Sequence, residues 1–332
     1  MKKTKKLLAC LIAAATMFAM GSTAFAAENS GKVQVPTDGK VQFMKEYKLI
    51  GDGTSPAETF AFTIENTEVT DAAGTVTKKN MPTPTVGSVA YDAAGATTEG
   101  NKQAVTVTLP QYSSVGVYTY TIKETTGSIA GVDYDITPVT MKVTVVNGET
   151  DETFKVESVS FTKNGEKLVD EAAFTNTYSA GKLNISKTVT GSLGDKSKYF
   201  KFKVTLTGVT GKNYGDSYAV SGGSNKENPT SIQIGDETTF ELKHGDTISI
   251  ANLPYGVTYT VTETKADDYT TESTGDTGKV SNAKQIAAFT NTKNGKVDTG
   301  INLTTLPYIL VFAGVIVIAG AAFIARRRRY ED

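Results

Sequence analysis

Apolar and polar residues alternate along many separate segments of this chain. These segments are rich in Val, Thr, Tyr and Phe, and clusters of Gly, Asn, Asp and Pro separate them: FAFTI (60–64), VTVTL (105–109), VYTYTIKE (117–124), VTMKVTVV (139–146), YFKFKVTL (199–206) and VTYTVTE (257–263). A period of two residues is typical of strands that bury one face, and no long segment with helical periodicity precedes the apolar run near the C-terminus. The pattern predicts an all-β sandwich architecture.

The chain also repeats a short series of motifs. FTNTY (174–178) and FTNTK (289–293) place the same asparagine 115 residues apart. Each repeat opens with an alternating strand, VQFMKEY (41–47) in the first and LNISKTV (183–189) in the second. A second pair of similar strands, GVYTYTIKET (116–125) and LPYGVTYTVTET (253–264), precedes the two FTN motifs. The same order of strands occurring twice predicts two domains, residues 27–180 and 181–295.

Both ends of the chain carry signals for export. Four lysines precede an apolar run that ends in small residues before Ala27, which predicts a signal peptide over residues 1–26. Leu306–Ala325 is apolar, uncharged and long enough for a membrane-spanning helix, and four arginines follow it on the predicted cytoplasmic side. We therefore expect an exported protein whose last segment, residues 296–332, holds it in the membrane at least for a time.

Composition narrows the function of the exported part. Removing residues 1–26 and those after Thr299 takes eight of the 34 basic and two of the 35 acidic side chains, which leaves 26 and 33 and a net charge of about −7. Nucleic-acid binding needs a basic surface, so this balance argues against it. The only cysteine, Cys10, lies in the predicted signal peptide, and His244 is the only histidine. We therefore expect no disulfide, no metal site and no cofactor.

Each repeat places three polar side chains on the apolar face of its strands. Side chains at positions i and i+2 of a strand share a face, so Lys45 should align with Phe43 and Tyr47 in the core. The same parity applies to one glutamate and one asparagine per repeat. The predicted sets are Lys45, Glu124 and Asn176 in the first repeat and Lys187, Glu263 and Asn291 in the second.

Burial gives these three residue types a specific chemistry. Desolvation lowers the pKa of a lysine and raises that of a glutamate, so both would favour neutral forms. A neutral amine is a nucleophile that can attack the carboxamide carbon of asparagine while the glutamate transfers protons and ammonia leaves. The reaction would occur once per domain and is not enzymatic turnover. A solvated lysine, or a buried Lys–Glu ion pair beside an unreactive asparagine, remains the alternative.

Residues 33–295 resemble the major shaft pilins of Gram-positive bacteria, which carry intramolecular Lys–Asn isopeptide bonds. VQFMK and LNISK match the lysine strand of that family, GVYTYTIKE and GVTYTVTE its glutamate strand, and both FTN words its asparagine strand. The resemblance implies two tandem Ig-like β-sandwich domains of the collagen-adhesin B type. It also implies two self-formed bonds, Lys45–Asn176 assisted by Glu124 and Lys187–Asn291 assisted by Glu263.

The C-terminal segment resembles a sortase sorting signal, with VDTG (297–300) before the apolar span. In that family a transpeptidase cleaves between Thr and Gly, here Thr299 and Gly300, and joins the threonine to a lysine of the next subunit. Asp298 stands where similar pilins have proline, which leaves the sortase class open. Lys163 and Lys167 lie before the closing strand as candidate acceptors, and the setting of Lys167 is closer to that of the family. A simple membrane anchor is the alternative.

The resemblance implies a non-enzymatic structural subunit of a covalently polymerised pilus, secreted and anchored to the cell wall of a Gram-positive bacterium. Its implied partners are other copies of itself, pilus and housekeeping sortases, accessory pilins, peptidoglycan and host surface ligands. A monomeric wall-anchored adhesin whose stalk domains carry the same isopeptide bonds is the first alternative. A secreted hydrolase is the second, although the sequence offers no catalytic constellation for it.

Overall fold

The computed structural model describes residues 38–150 and 152–295 of the chain. All regular elements in these ranges are β-strands, so the predicted all-β fold is confirmed. No helix within the same ranges has the length and hydropathy of a membrane span. The predicted signal peptide, sorting motif and membrane helix lie outside the described residues.

The chain divides into two compact units. The first contains the residues up to Leu49 together with Ser55–Gly127 and Val132–Tyr178. The second contains Ile50–Thr54, Ser128–Gly131 and the residues from Ser179 onward. The division that the sequence predicts, after Ala180, remains a prediction.

The first unit is a sandwich of two main sheets. Its strands are β1 (Lys40–Gly51), β2 (Glu58–Phe60), β3 (Phe62–Thr70), β4 (Thr85–Val86), β5 (Val89–Tyr91), β6 (Asn101–Thr108), β7 (Gly116–Glu124), β8 (Val132–Asp133), β9 (Val139–Asn147), β10 (Phe154–Lys163), β11 (Glu166–Lys167) and the start of β12 (Phe174–Thr190). One sheet has the order β11-β10-β9-β7-β3, and the other has the order β12-β1-β6-β4 with β8 paired to β12. Strands β2 and β5 form a separate antiparallel pair.

Aromatic side chains fill the space between the sheets of the first unit. The ring of Phe43 on β1 lies 5.3 Å from that of Phe62 on β3 and 5.9 Å from that of Phe161 on β10. Each such ring, once fully buried, stabilises the fold by about 1.5–3 kcal/mol. The alternating pattern in the sequence therefore produces one shared core, and that core surrounds the predicted polar residues.

The second unit repeats this arrangement. Its strands are residues 179–190 of β12, then β13 (Phe200–Thr207), β14 (Tyr218–Gly222), β15 (Ser231–Ile232), β16 (Glu237–Leu242), β17 (Thr247–Pro254), β18 (Thr258–Glu263), β19 (Thr270–Thr274), β20 (Thr277–Lys279) and β21 (Lys284–Thr292). One sheet has the order β16-β13-β18-β20, and the other has the order β15-β14-β17-β12-β21-β19. The rings of Phe202 on β13 and Phe289 on β21 meet between the sheets at 5.1 Å.

Strand β12 carries motifs from both repeats. The FTN word of the first repeat and the LNISK word of the second belong to this one strand of 17 residues. Gly181, near the predicted division, lies within it. A Cβ atom at Gly181 would lie 2.2 Å from the carbonyl oxygen of Asn282, so glycine permits a close approach of two backbones here.

Candidate functional site

The first set of predicted residues meets in the core of the first unit. Lys45 on β1 and Asn176 on β12 belong to neighbouring strands of one sheet, whereas Glu124 ends β7 in the facing sheet. Nζ of Lys45 lies 2.9 Å from Oε2 of Glu124. Nδ2 of Asn176 donates a hydrogen bond to Oε1 of the same carboxylate. One carboxylate therefore contacts both the amine and the carboxamide.

The second set has the same arrangement. Nζ of Lys187 donates a hydrogen bond to Oε2 of Glu263 at 2.7 Å, and Nδ2 of Asn291 donates to Oε1. The lysine and asparagine strands, β12 and β21, are parallel neighbours in which Lys187 pairs with Phe289. Because Asn291 lies two residues beyond Phe289, it shares the core face with Lys187.

Both sites are almost completely dry. The lysine and glutamate side chains are 0% and 1% exposed in the first unit and 0% and 2% exposed in the second. A phenylalanine ring lies under each amine, with its centroid 4.6 Å from Nζ of Lys45 for Phe60 and 4.4 Å from Nζ of Lys187 for Phe200. These rings were not predicted as part of the sites, although each begins an alternating Phe-x-Phe segment, FAF (60–62) and FKF (200–202).

Burial shifts the pKa values of Lys45, Glu124 and Lys187 toward their neutral forms. It lowers the pKa of Lys45 from 10.5 to about 8, against the opposing attraction of Glu124. Burial also raises the pKa of Glu124, although the ion pair with Lys45 works in the other direction. The pKa of Lys187 is lowered, again by burial. Each domain thus holds a lysine with a larger neutral fraction than a solvated amine has.

The two carboxamide oxygens have different surroundings. Oδ1 of Asn176 accepts a hydrogen bond from the backbone N–H of Asp135 at 2.8 Å. Oδ1 of Asn291 is buried and accepts no hydrogen bond from the part of the chain that the structure describes. Because the donor to Asn176 is a backbone group, no side-chain pattern in the sequence pointed to it.

The two candidate acceptor lysines also differ. Lys163 is half-buried, and its Nζ donates to Oδ2 of Asp135 at 2.5 Å and to the carbonyl oxygen of Ala173 at 2.9 Å. Lys167 is exposed, in the two-residue strand β11. The predicted cleavage site at Thr299 and Gly300 lies outside the described residues.

The arrangement favours covalent chemistry between side chains over ligand binding. In each site a carboxylate, which can accept a proton, contacts both an amine, which can act as a nucleophile, and a carboxamide, which can act as an electrophile. No group of three or more His, Cys, Asp or Glu residues that could hold a metal ion occurs within residues 38–150 and 152–295.

Two family models match the chain. The Spy0128-like isopeptide containing domain (FctA) matches residues 41–179, and a domain of unknown function (DUF7601) matches residues 181–293. The crystal structure of the major pilin from Streptococcus pyogenes matches with a TM-score of 0.50 at 24% identity, over 78% of this chain and 100% of that one. This structural likeness confirms the predicted pair of Ig-like sandwiches.

Two curated proteins of Streptococcus pyogenes are similar in sequence. The pilus tip adhesin Cpa is 34% identical over 128 residues, which cover 36% of this chain but only 18% of that protein. A pilin of serotype M1 is 30% identical over 233 residues, which cover 64% of this chain and 67% of that protein. The predicted family is therefore confirmed, and the chain belongs to the major pilins of Gram-positive bacteria, the structural subunits of pilus shafts.

Proposed function

We propose that each domain of this pilin closes one permanent amide bond, Lys45–Asn176 in the first and Lys187–Asn291 in the second. The observation that carries the proposal is the single carboxylate that contacts both partners in each dry core. Keeping an intact buried ion pair would cost several kcal/mol in desolvation. Conversion of the amine and the carboxamide into a neutral amide removes that cost.

The proposed reaction balances without a cofactor. The neutral amine of lysine forms a bond to Cγ of asparagine, and the displaced electron pair moves onto Oδ1. The carboxyl group of Glu124 or Glu263, protonated by the lysine ammonium when the neutral amine formed, gives its proton to Nδ2 and takes one from Nζ. The Cγ–Nδ2 bond then breaks, ammonia leaves and the carbonyl re-forms. The glutamate ends as a neutral carboxyl group, so no unpaired charge remains in the core, and the domain reacts only once.

The bonds would suit a subunit that transmits tension along a fibre. Each one joins the strand that opens its repeat to the strand that closes it, β1 to β12 and β12 to β21. A cross-link over a loop of about 100 residues stabilises a domain by about 5 kcal/mol in the chain-entropy model. A pull on the two tied strands would load a covalent bond before it could separate the strands.

We further propose that sortase joins the subunits and anchors the fibre to peptidoglycan at the cell surface. The threonine of VDTG, Thr299, would be transferred from Gly300 to Lys167 of the next copy. The exposure of Lys167 supports this choice, because a sortase must reach the acceptor side chain, and Lys163 is half-buried. Sortases, accessory pilins and host surface ligands are the proposed partners.

Polymerisation is tested on cell-wall extracts of the producing bacterium after boiling in detergent. We expect a ladder of high-mass bands from the wild-type chain and only the monomer band from Lys167→Arg, which keeps the charge but removes the acceptor amine. Lys155→Arg, an exposed lysine on the neighbouring strand β10, is the matched control and should retain the ladder. A single wild-type band would instead favour the monomeric adhesin, and a ladder from Lys167→Arg would assign the acceptor to another lysine.

The bonds themselves are located by proteolysis and tandem mass spectrometry of the exported form, residues 27–299. The proposal expects one cross-linked peptide pair that contains Lys45 and Asn176 and another that contains Lys187 and Asn291. Recovery of the four residues only in separate linear peptides would refute it.

A further inference from the structure

The backbone amide of Asp135 faces the atom on which negative charge develops during the first proposed reaction. Its N–H donates to Oδ1 of Asn176 at 2.8 Å. That distance lies within the range of about 2.7–3.1 Å in which donors stabilise an oxyanion. Asp135 itself lies in the loop between β8 and β9, outside the three residues that carry out the chemistry.

We propose that Asp135 is a positioning residue for the Lys45–Asn176 bond: its anchored side chain aims its backbone N–H at the carboxamide oxygen of Asn176. The inference rests on the proposed function, because it concerns the same bond. When Nζ of Lys45 attacks Cγ, the carbonyl electron pair moves onto Oδ1, and the N–H of Asp135 stabilises that charge. When the Cγ–Nδ2 bond breaks and ammonia leaves, the pair returns to the carbonyl.

Three groups hold the Asp135 carboxylate in place. Oδ2 accepts hydrogen bonds from Nζ of Lys163 at 2.5 Å and from the backbone N–H of Thr175 at 3.0 Å. Oδ1 accepts from the N–H of Thr137 at 3.1 Å. Thr175 directly precedes Asn176 on β12, so the carboxylate clamps the strand that carries the electrophile.

Lys163 strengthens this clamp. Its amine also donates to the carbonyl oxygen of Ala173, next to Phe174 at the start of β12, and it lies 5.4 Å from the centroid of the Phe174 ring. Burial alone would raise the pKa of Asp135, but the hydrogen bonds from Lys163, Thr175 and Thr137 outweigh it and lower that pKa. The carboxylate therefore stays ionised under conditions in which Lys45 is neutral.

The ion pair between Lys163 and Asp135 is not a third covalent bond in this account. An ionised carboxylate is a poor electrophile, and the hydrogen bonds from Lys163, Thr175 and Thr137 keep Asp135 in that form. Such a bond would release water and would remove about 18 Da, which high-resolution mass spectrometry separates from the about 17 Da of ammonia.

The second domain supplies an internal reference. Oδ1 of Asn291 accepts no hydrogen bond within the described residues, so this domain lacks a counterpart of the Asp135 donor. A change at Asp135 should therefore slow the first bond and leave the second unaffected. A general defect in folding of the chain would slow both.

The test follows each bond during refolding of the exported form, residues 27–299, which contains both compact units. Chains from inclusion bodies in urea are diluted into buffer, quenched in acid at set times and digested, and each cross-linked peptide pair is quantified. Tyrosine fluorescence reports when folding is complete. The variants are Asp135→Ala, Asp135→Asn and Lys163→Met. Their controls are Asp133→Ala on β8 and Lys155→Met on β10, both at exposed residues.

We expect Asp135→Ala to slow the Lys45–Asn176 bond by about tenfold or more after folding is complete, since the loss of an oxyanion donor costs up to about 10²–10³ in rate. Asp135→Asn keeps an acceptor oxygen and should recover part of the rate. Lys163→Met should lie between Asp135→Ala and the wild type, and the Lys187–Asn291 bond should form at its normal rate throughout.

Two results would overturn the inference while the proposed function stands. One is a first-domain rate in Asp135→Ala equal to that in Asp133→Ala, with both bonds forming in the wild type. The other is equal slowing of both bonds, which would place the effect in folding. If the wild-type chain forms neither bond, the proposed function itself fails.

Discussion

Nζ of Lys45 lies 2.9 Å from Oε2 of Glu124, and the two side chains are 0% and 1% exposed. A surface ion pair at this distance would contribute little to folding stability, whereas burial of these two charges costs several kcal/mol in desolvation. Burial shifts the pKa of each group toward its neutral form. The pair is therefore better suited to proton transfer between a nucleophile and a carboxylate than to stabilising the fold as two charges.

Replacement of either glutamate should abolish one bond and leave the other intact. Glu124→Gln and Glu263→Gln remove the proton acceptor of one site while keeping the shape of its side chain. Each variant should be heavier than the wild type by about 17 Da, one retained ammonia, after correction for the substitution. Glu65→Gln and Glu237→Gln, at glutamates paired with surface lysines, should keep both bonds. If Glu124→Gln and Glu263→Gln also keep both, the glutamates are not the proton acceptors.

Loss of the second bond should strongly destabilise its domain. Asn291→Ala removes the proposed electrophile, so the closing strand β21 could not be cross-linked to β12. We expect the free energy of unfolding of this domain to fall by about 5 kcal/mol, on the chain-entropy account of cross-links. Thermal unfolding followed by calorimetry measures the change. Asn294→Ala, at an exposed residue just after β21, is the control, and equal midpoints for the two variants would contradict the prediction.

The unlinked first domain should gain stability as the pH rises. In Asn176→Ala the amine of Lys45 stays free, with a pKa of about 8 when folded and 10.5 when unfolded. The unfolded state then binds more protons between these pH values, so the free energy of unfolding rises with pH across that window. Below about pH 8 the burial of the protonated amine lowers the free energy of unfolding by its full amount. In a wild type with the proposed bond, Lys45 would be an amide and would not titrate.

Urea unfolding of both proteins between pH 8 and pH 10 measures this difference. The gap in unfolding free energy between the wild type and Asn176→Ala should narrow by up to about 3 kcal/mol as the pH increases. Buried tyrosines with raised pKa values, such as Tyr47 and Tyr91, are common to both proteins and cancel in the comparison. A gap that is constant with pH would show that Lys45 does not titrate as a buried free amine.

The strand positions and the two sets of lysine, glutamate and asparagine could be predicted from the sequence, because strand periodicity links the position of a residue to its burial. The alternation that places Phe43 and Tyr47 in the core places Lys45 there as well, and all three are buried. The repeat then identified the corresponding residues of the second domain. These inferences needed only the local geometry of a strand and the order of the motifs.

Other features depend on contacts between distant segments and leave no such pattern. The amide of Asp135 reaches Asn176 across 41 residues through a backbone donor, which any residue type could supply. Gly181 is a residue type that is common in linkers, but it lies inside β12, where the backbone near Asn282 leaves no room for a side chain. Sequence periodicity describes one strand at a time and cannot predict which backbones approach each other.

The intact mass of the exported form, residues 27–299, tests the central claim most directly. Two Lys–Asn bonds release two molecules of ammonia, so the measured mass should lie about 34 Da below the mass calculated from the sequence. The double variant Glu124→Gln, Glu263→Gln should show no deficit. A wild-type mass equal to the calculated value would contradict the account, because both lysines would then remain in buried ion pairs with their glutamates, beside unreacted asparagines.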